Sequence, residues 1–394
     1  MKTCEPEWTF DAERALRYAQ EITFPRRTGT EGESRAALFI KWTLEEIGYE
    51  VREQNFSAKV PPWLWLKGFP LLSLILLICT RITGEISSVI PFILSALYLL
   101  GMFLWDRLWL YLRRWVVSDH SDIRKLSRNI LAEFPGVPEG DPIYLVAHYD
   151  SKSQFTNLYL RAGLFLLGVL SGGLFSLWIW FEGLRRGMGS PASIPLWIQI
   201  CFSLAVIINL AFVVSRTGNE SAGAVDNASG TGILLELARG IKREKPEGIR
   251  PVFLFTGAEE LGLLGSVMFQ KKYGKDLAQT GAIVINVDSV AQKGKMKICS
   301  RGREGRQLKN HLRNLAQAAG FPLRALPFHK GILMDHLPFG RNKVPAVSLT
   351  SVFKEGLHLH TPQDRLALLQ REALEEIGQF LVLTLRNLKA VRRW

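Results

Sequence analysis

Apolar positions along this chain follow two short-range periods, and four longer apolar stretches interrupt them. Ala15, Leu16, Ala19 and Ile22 fall on one face of a helix over residues 10–22. A turn-rich segment, PRRTGTEGES, precedes a second helix over 34–47, which Gly48 ends. YEVREQNF then alternates as a strand, and residues 129–134 read as another. DPIYLVAHYD is continuously apolar until its last residues, the pattern of a strand buried on both faces. Beyond Ser221 the order is a helix opened by VDNASGTGILLELARGI, the strand VFLFTG, and the strand AIVINVD. A helix over 308–319, the strand VPAVSLT and a helix over 372–388 complete it. Alternating strands and helices predict a three-layer α/β fold: a mixed, mainly parallel sheet flanked by helices.

The four interruptions span 63–82, 86–105, 160–181 and 194–214, each close to the ~20 residues that cross a bilayer. Lys67 and Pro70 shorten the clean core of the first. Trp63, Trp65, Trp105, Trp109, Tyr159 and Trp180 stand near their ends, as interfacial aromatic residues do. Buried core helices are the other reading of such runs; the aromatic ends favour four transmembrane helices in two hairpins, 61–115 and 158–215. The soluble domain is then assembled from 1–60, 116–157 and 216–394. Lys59, Arg107, Arg113, Arg114, Lys152 and Arg216 lie on one side of the hairpins, against Arg81, Arg185 and Arg186 on the other. The positive side is the cytoplasmic one, which predicts a multi-pass protein of the cell membrane with its soluble domain inside.

Composition supports a soluble domain carrying membrane segments: 47% hydrophobic residues, yet 22% charged, with a formal net charge of +13. No basic stripe is interleaved with base-stacking aromatics, so the charge points to membrane lipids and away from nucleic acid. Cys4, Cys79, Cys201 and Cys299 show no metal or redox spacing, and two lie inside apolar runs, compatible with a reducing compartment. The N-terminal residues contain no apolar core of a signal peptide. The Gly-rich SAGAVDNASGTG matches neither phosphate-loop nor dinucleotide spacing.

Candidate chemistry centres on PVFLFTGAEELGLLGS, where a strand delivers the adjacent carboxylates Glu259 and Glu260. Neighbouring side chains point apart, so one can hold a metal while the other faces a reacting water; a solvated pair opening a helix at Leu261 is the alternative. His148 and Asp150 close YLVAHYD, Asp226 precedes a helix, Asp288 closes AIVINVD, and His360 lies in the loop HLHTPQD. Ligands gather outside the carboxyl ends of strands in open α/β sheets, so these residues converge on one crevice. Two Zn²⁺ bring four positive charges, three carboxylates remove three, and the remaining charge matches a bridging hydroxide. The mixed His/carboxylate set suits Zn²⁺, with Mn²⁺ or Co²⁺ also possible.

HYD, VDNASG, TGAEELGLLGS, NVDS, MDHLPF and HTPQD occur in that order. Together with the RTGTEGE loop they resemble the aminopeptidase-Y family of di-zinc exopeptidases, which includes glutamate carboxypeptidase II and the glutaminyl cyclases. The likeness covers most of 1–58 and 126–390 and leaves out the apolar hairpins. It implies that Asp226 bridges two zinc ions, with His148 and Asp288 completing one site and Glu260 and His360 the other. It implies Glu259 as general base, Asp150 behind His148, His336 near the substrate carbonyl, and a cis peptide at Asp226–Asn227. Of the two histidines in HLHT, the family pattern selects His360 over His358. Arg365 departs from the small polar residue expected after Asp364. His120, His311 and His329 read as surface residues.

The implied function is a membrane-anchored di-zinc metallo-aminopeptidase removing N-terminal residues from short peptides. A glutaminyl-cyclase-like or other amidohydrolase activity is the alternative, to which HYDSK lends some weight, and an inactive membrane-associated binding module is the third. The sequence leaves oligomeric state open. If the first three long strands form an antiparallel meander, both hairpins leave from the sheet edge that carries His148, and the crevice faces the bilayer.

Overall fold

The computed structural model describes residues 8–58, 67–83, 89–118, 126–135, 140–154, 156–187, 194–244, 246, 248–326, 333–352 and 354–388. Trp63, Trp65, His120 and His329, named above, lie outside them. The chain divides into two compact units. One comprises Met1–Lys59, Arg113–Ser153 and Gly218–Trp394; the other comprises Val60–Leu112 and Gln154–Thr217.

Strands β1 (Glu50–Ala58), β2 (Val117–Ser118), β3 (Ser127–Glu133) and β4 (Asp141–His148) come first. The short β5 (Ser153–Gln154) and β6 (Thr217–Gly218) pair with each other. Then follow β7 (Ile249–Thr256), β8 (Ile283–Val287), β9 (Lys297–Ser300), β10 (Arg324–Ala325) and β11 (Ala346–Thr350). Nine of the described strands form one sheet in the order β10-β9-β11-β8-β4-β7-β3-β1-β2. Its central strands β11, β8, β4 and β7 run parallel, β3 and β1 run antiparallel to their neighbours, and β9 is antiparallel to β11 but parallel to β10.

Both sheet faces are covered, which is why β4, β7 and β8 are apolar without alternation. Tyr144, Val146, Val252, Leu254 and Val284 point to one face and pack with Phe269 and Leu277 of helix Leu264–Gln279 and with Phe339. Phe253 points to the other face. There it meets Tyr49 edge-on at 5.5 Å, and the Tyr49 hydroxyl donates to the Ala238 carbonyl of helix Ser229–Arg243 at 2.9 Å. That helix packs in turn against Ala12–Glu21.

The first helices begin where their caps dictate. The Asp11 side chain accepts the Arg14 amide, and Thr30 accepts the Glu33 amide, so the second helix is Glu31–Ile47 and starts earlier than its apolar pattern suggests. Glu33 reaches back to the Gly29 amide at 2.7 Å, closing a reciprocal cap one residue wider than the usual box.

The expected meander does not form. β7 intervenes between β3 and β4, because β4 finds parallel partners on both sides, β7 and β8. The pairs Phe56↔Ser127 and Ile130↔Phe255 put the end of β1 and the start of β3 at the edge where β4 and β7 end.

The second unit is helical. Its described helices are Gly68–Thr83, most of Ile90–Val116, Leu158–Gly187 and Leu196–Val214. Leu77, Tyr98, Phe175, Ile198 and Ala205 form its small core, and Phe92 stacks on Trp180 at 4.2 Å. A side chain at Gly172 would collide with the Tyr98 hydroxyl, so glycine is what lets those two helices approach.

Four full spans were expected; among the described residues two helices meet the length and composition required, Tyr159–Arg185 and Leu196–Val214. Gly68–Thr83 and Ile90–Leu104 are apolar but shorter. At 1.5 Å per residue they reach roughly 24 Å and 22 Å, short of the ~30 Å hydrocarbon core. Asp106 and Arg107 end the apolar part of the second.

Candidate metal centre

Each candidate ligand stands at or just past the carboxyl end of a parallel strand or in the loop facing that end. His148 is the last residue of β4, Glu259 and Glu260 follow β7, and Asp288 follows β8. Asp226 lies in the kinked segment Ala224–Ala228, where its own backbone (φ −116, ψ 88) and that of Asn227 are not helical, ahead of Ser229–Arg243, and the Asp226–Asn227 peptide is cis. Non-glycine residues with left-handed backbones flank the ligands: Ala258 (φ 53), Ser289 (φ 58) and His360 itself (φ 60). Each such turn re-aims the chain at a local cost of order 1 kcal/mol or more, which surrounding contacts must offset. The helix expected at Leu261 begins at Leu264, because Gly262 and Leu263 both donate to the Glu259 carbonyl in a turn.

Two groups of three result, His148–Asp226–Asp288 and Asp226–Glu260–His360. Within each, the potential ligand atoms lie within 4.8 Å of one another. His148 Nε2 is 3.0 Å from Asp226 Oδ1 and 3.7 Å from Asp288 Oδ1. His360 Nε2 is 3.0 Å from Asp226 Oδ2 and 3.3 Å from Glu260 Oε1. Asp226 thus offers one oxygen to each group. Zinc–ligand bonds of ~2.0–2.1 Å in a tetrahedron place donor atoms about 3.3 Å apart, so the donor spacing fits such an ion in both places.

Charge is concentrated in the same way. Asp226, Glu260, Asp288 and Glu259 are all more than nine-tenths buried. Burial alone would disfavour charge on His148, yet Glu259, Asp150, Asp226 and Asp288 together push its pKa well up. Burial raises the Asp226 carboxyl, but His148 and His360 outweigh it and hold it well below the usual range. Glu259 goes the other way. Burial pushes its carboxyl well above the ordinary value, His148 opposes this, and Glu260, Asp335 and Asp288 reinforce it.

Asp150 does more than stand behind His148. Its carboxylate accepts the backbone amides of Glu259 at 3.0 Å and Glu260 at 3.2 Å, and the Thr28 hydroxyl at 2.9 Å. His148 Nδ1 lies 3.2 Å from the Asp150 backbone carbonyl and 3.7 Å from its carboxylate. His336 is buried, with Nδ1 2.7 Å from Ser348 Oγ. His358 stays out of both groups; its carbonyl accepts the Thr361 hydroxyl at 2.7 Å. His311 is half-buried on helix Gly302–Ala318.

Three neighbours went unread in the sequence. Lys152 places Nζ 2.6 Å from Glu260 Oε2. Asp364, fully buried, accepts the amides of Val225 at 2.7 Å and Asp226 at 3.2 Å, and burial beside Asp226 lifts its carboxyl to about 7. Arg26, also fully buried, donates to the carbonyls of Tyr149 at 2.5 Å, Phe24 at 3.2 Å, Gly223 at 2.7 Å and Ala222. The guanidinium thereby ties the segment after His148 to the segment before Asp226. Signals existed in part: Lys152 sits four residues past His148, Asp364 four past His360, and Arg26 immediately precedes the RTGTEGE loop.

The family model described as peptidase family M28 matches residues 205–385. Aminopeptidase YwaD of Bacillus subtilis (strain 168) is 27% identical over 169 residues, which is 41% of this chain and 36% of that protein. The aligned stretch thus spans about a third of the relative's length. Among solved structures, BSAP, a zinc aminopeptidase from Bacillus subtilis, superposes with a TM-score of 0.55 at 15% identity, covering 97% of this chain and 95% of its own. A Bacteroides thetaiotaomicron glutaminyl cyclase gives 0.54 at 16% identity, covering 96% and 99%. At such identities the structural likeness speaks for the fold. Residues 205–385, the stretch that carries Asp226, Glu260, Asp288 and His360, are thus similar to peptidase family M28.

Proposed function

We propose that the protein is a membrane-anchored, two-zinc aminopeptidase acting on short peptides. The observation that carries this reading is Asp226, shared between two groups whose donor atoms are spaced for a metal ion, with Glu259 beside them. His148, Asp226 and Asp288 would hold one ion, and Asp226, Glu260 and His360 the other; Mn²⁺ or Co²⁺ suits the same donors. Bound zinc would make a water nucleophilic near neutral pH and polarise the scissile carbonyl.

The chain's own groups do the rest. Glu259 takes a proton from the attacking water and passes it to the nitrogen of the leaving amine. Asp150 fixes where that carboxylate starts by holding the Glu259 amide. His336, buried with Nδ1 2.7 Å from Ser348 Oγ, would donate a hydrogen bond to the substrate carbonyl. Membrane attachment through Tyr159–Arg185 and Leu196–Val214 fits their length and exposed apolar surface, and the basic flanks put the other unit on the cytoplasmic side of the cell membrane.

The test compares wild type with Glu259→Ala on a panel of aminoacyl anilides, with metal content measured in both. The expected outcome is two ions per chain in each and a kcat reduced about 10²–10⁴-fold in the variant. Hydrolysis by the metal-loaded variant at the wild-type rate would remove Glu259 from its role. Release of pyroglutamyl products from N-terminal glutamine, without anilide hydrolysis, would favour the cyclase-like alternative.

A further inference from the structure

The two groups of donors are alike in composition, one histidine and two carboxylates each, but their surroundings differ. Around Asp288 the recorded partner is neutral: the Ser289 hydroxyl donates to Oδ1 at 2.9 Å. Around Glu260 it is a cation. Lys152 Nζ lies 2.6 Å from Oε2 and 3.4 Å from the Glu260 backbone carbonyl, in a pair whose side chains are 15% and 4% exposed. Oε1 faces His360 instead, at 3.3 Å. Glu260 therefore has one oxygen committed to an ammonium group and one turned into the site, while Asp226 is common to both groups.

We propose that Lys152 makes the two metal sites unequal, so that the ion held by Asp226, Glu260 and His360 binds more weakly than the ion held by His148, Asp226 and Asp288. Two effects act together. The ammonium cancels one of the two carboxylate charges of that group, and within a buried site such a charge is poorly screened. By occupying Oε2 it also restricts Glu260 to a single ligand oxygen, so the group cannot regain affinity through bidentate binding. Lys152 acts through Glu260 and is a positioning residue. The consequence is an enzyme whose second ion is exchangeable at zinc levels that leave the first in place. This inference rests on the two-metal reading above.

The test is a Zn²⁺ titration of the metal-free full chain in detergent, followed by calorimetry, for wild type, Lys152→Gln and Lys152→Arg. Glutamine keeps a donor for Oε2 and removes the charge; arginine keeps the charge. The expected result is two steps in wild type, the second tightened at least tenfold in Lys152→Gln with a smaller change in the first, and Lys152→Arg resembling wild type. An unchanged or weakened second step in Lys152→Gln, or an equal shift of both steps, overturns the proposal. One ion in wild type and two in Lys152→Gln still supports it, the lysine then holding the second affinity below range. One ion in both variants overturns it together with the two-metal reading. Two equal, tight steps in wild type overturn it alone.

Discussion

The two units of this chain invert each other's surface. In the sheet-based unit, polar and charged groups go inside: Arg26, Asp150, Asp364, Asp335 and Asn129 are 0% exposed. In the helical unit, large apolar side chains go outside: Leu196 is 72% exposed, Phe103 70% and Ile207 61%. Both arrangements would be costly if the usual solvent surrounded both. The buried polar groups are tolerated because each finds partners, as Arg26 does with four carbonyls. The exposed apolar surface is tolerated if its solvent is hydrocarbon, where backbone groups must be satisfied within helices, as they are here. The polarity of inside and outside is thus exchanged between the two units.

The largest effect that would sharpen this contrast comes from the polar interior. Arg26→Met leaves the carbonyls of Tyr149, Ala222 and Gly223 without their donor. At ~1–3 kcal/mol for each buried unsatisfied group, the expected loss is about 3 kcal/mol or more. Thermal denaturation should show a melting temperature lower by about 6 °C or more. An unchanged value would mean the carbonyls find other donors.

The next tests equal exposure in the two units. Trp42 on helix Glu31–Ile47 is 62% exposed and Ile207 on Leu196–Val214 is 61% exposed. Ile207→Asp should cost about 2.5–3.5 kcal/mol of membrane insertion and lower the carbonate-resistant fraction. Trp42→Asp should change stability by less than about 1 kcal/mol. Equal tolerance at both positions would break the comparison.

The smallest effect concerns pH. Burial lifts the Glu33 carboxyl to about 7, against partial relief from the Ser127 hydroxyl and the Gly29 amide. A folded pKa above the unfolded one contributes stability that is fully present below about 4.5 and is lost as pH rises through about 7. Glu33→Gln removes that titration and keeps an acceptor. Its stability relative to wild type should therefore rise by about 2 kcal/mol between pH 5 and pH 8, read from denaturant midpoints. A difference independent of pH would place the Glu33 pKa near its ordinary value.

Much of the site was legible because its residue types are demanded by its chemistry. His148, Asp226, Glu260, Asp288 and His360 were selected from strand ends and motif order, and the structure puts their donor atoms together. Of the paired carboxylates, Glu260 turns an oxygen toward His360. What stayed hidden involves partners chosen by proximity alone. Nothing local marks Lys152 as the partner of Glu260, 108 residues away, or Arg26 as the clamp on Gly223, 197 away. The left-handed turns at Ala258, Ser289 and His360 were equally silent, because no glycine stands there to announce them.

The sequence by itself determined the periods of the elements, the buried character of β4, β7 and β8, the polar ends that carry the ligands, and the apolar runs between them. These are properties of neighbours along the chain, where side-chain period and composition act directly. Tertiary structure decided that β7 separates β3 from β4, that Asp150 holds the Glu259–Glu260 amides, and that, among the described residues, two of the apolar runs form helices both long and apolar enough for a span. Each of these depends on where a strand finds its partner or where a helix stops. Hydrogen bonding and packing settle such matters between segments that are distant in sequence, and no local pattern encodes them.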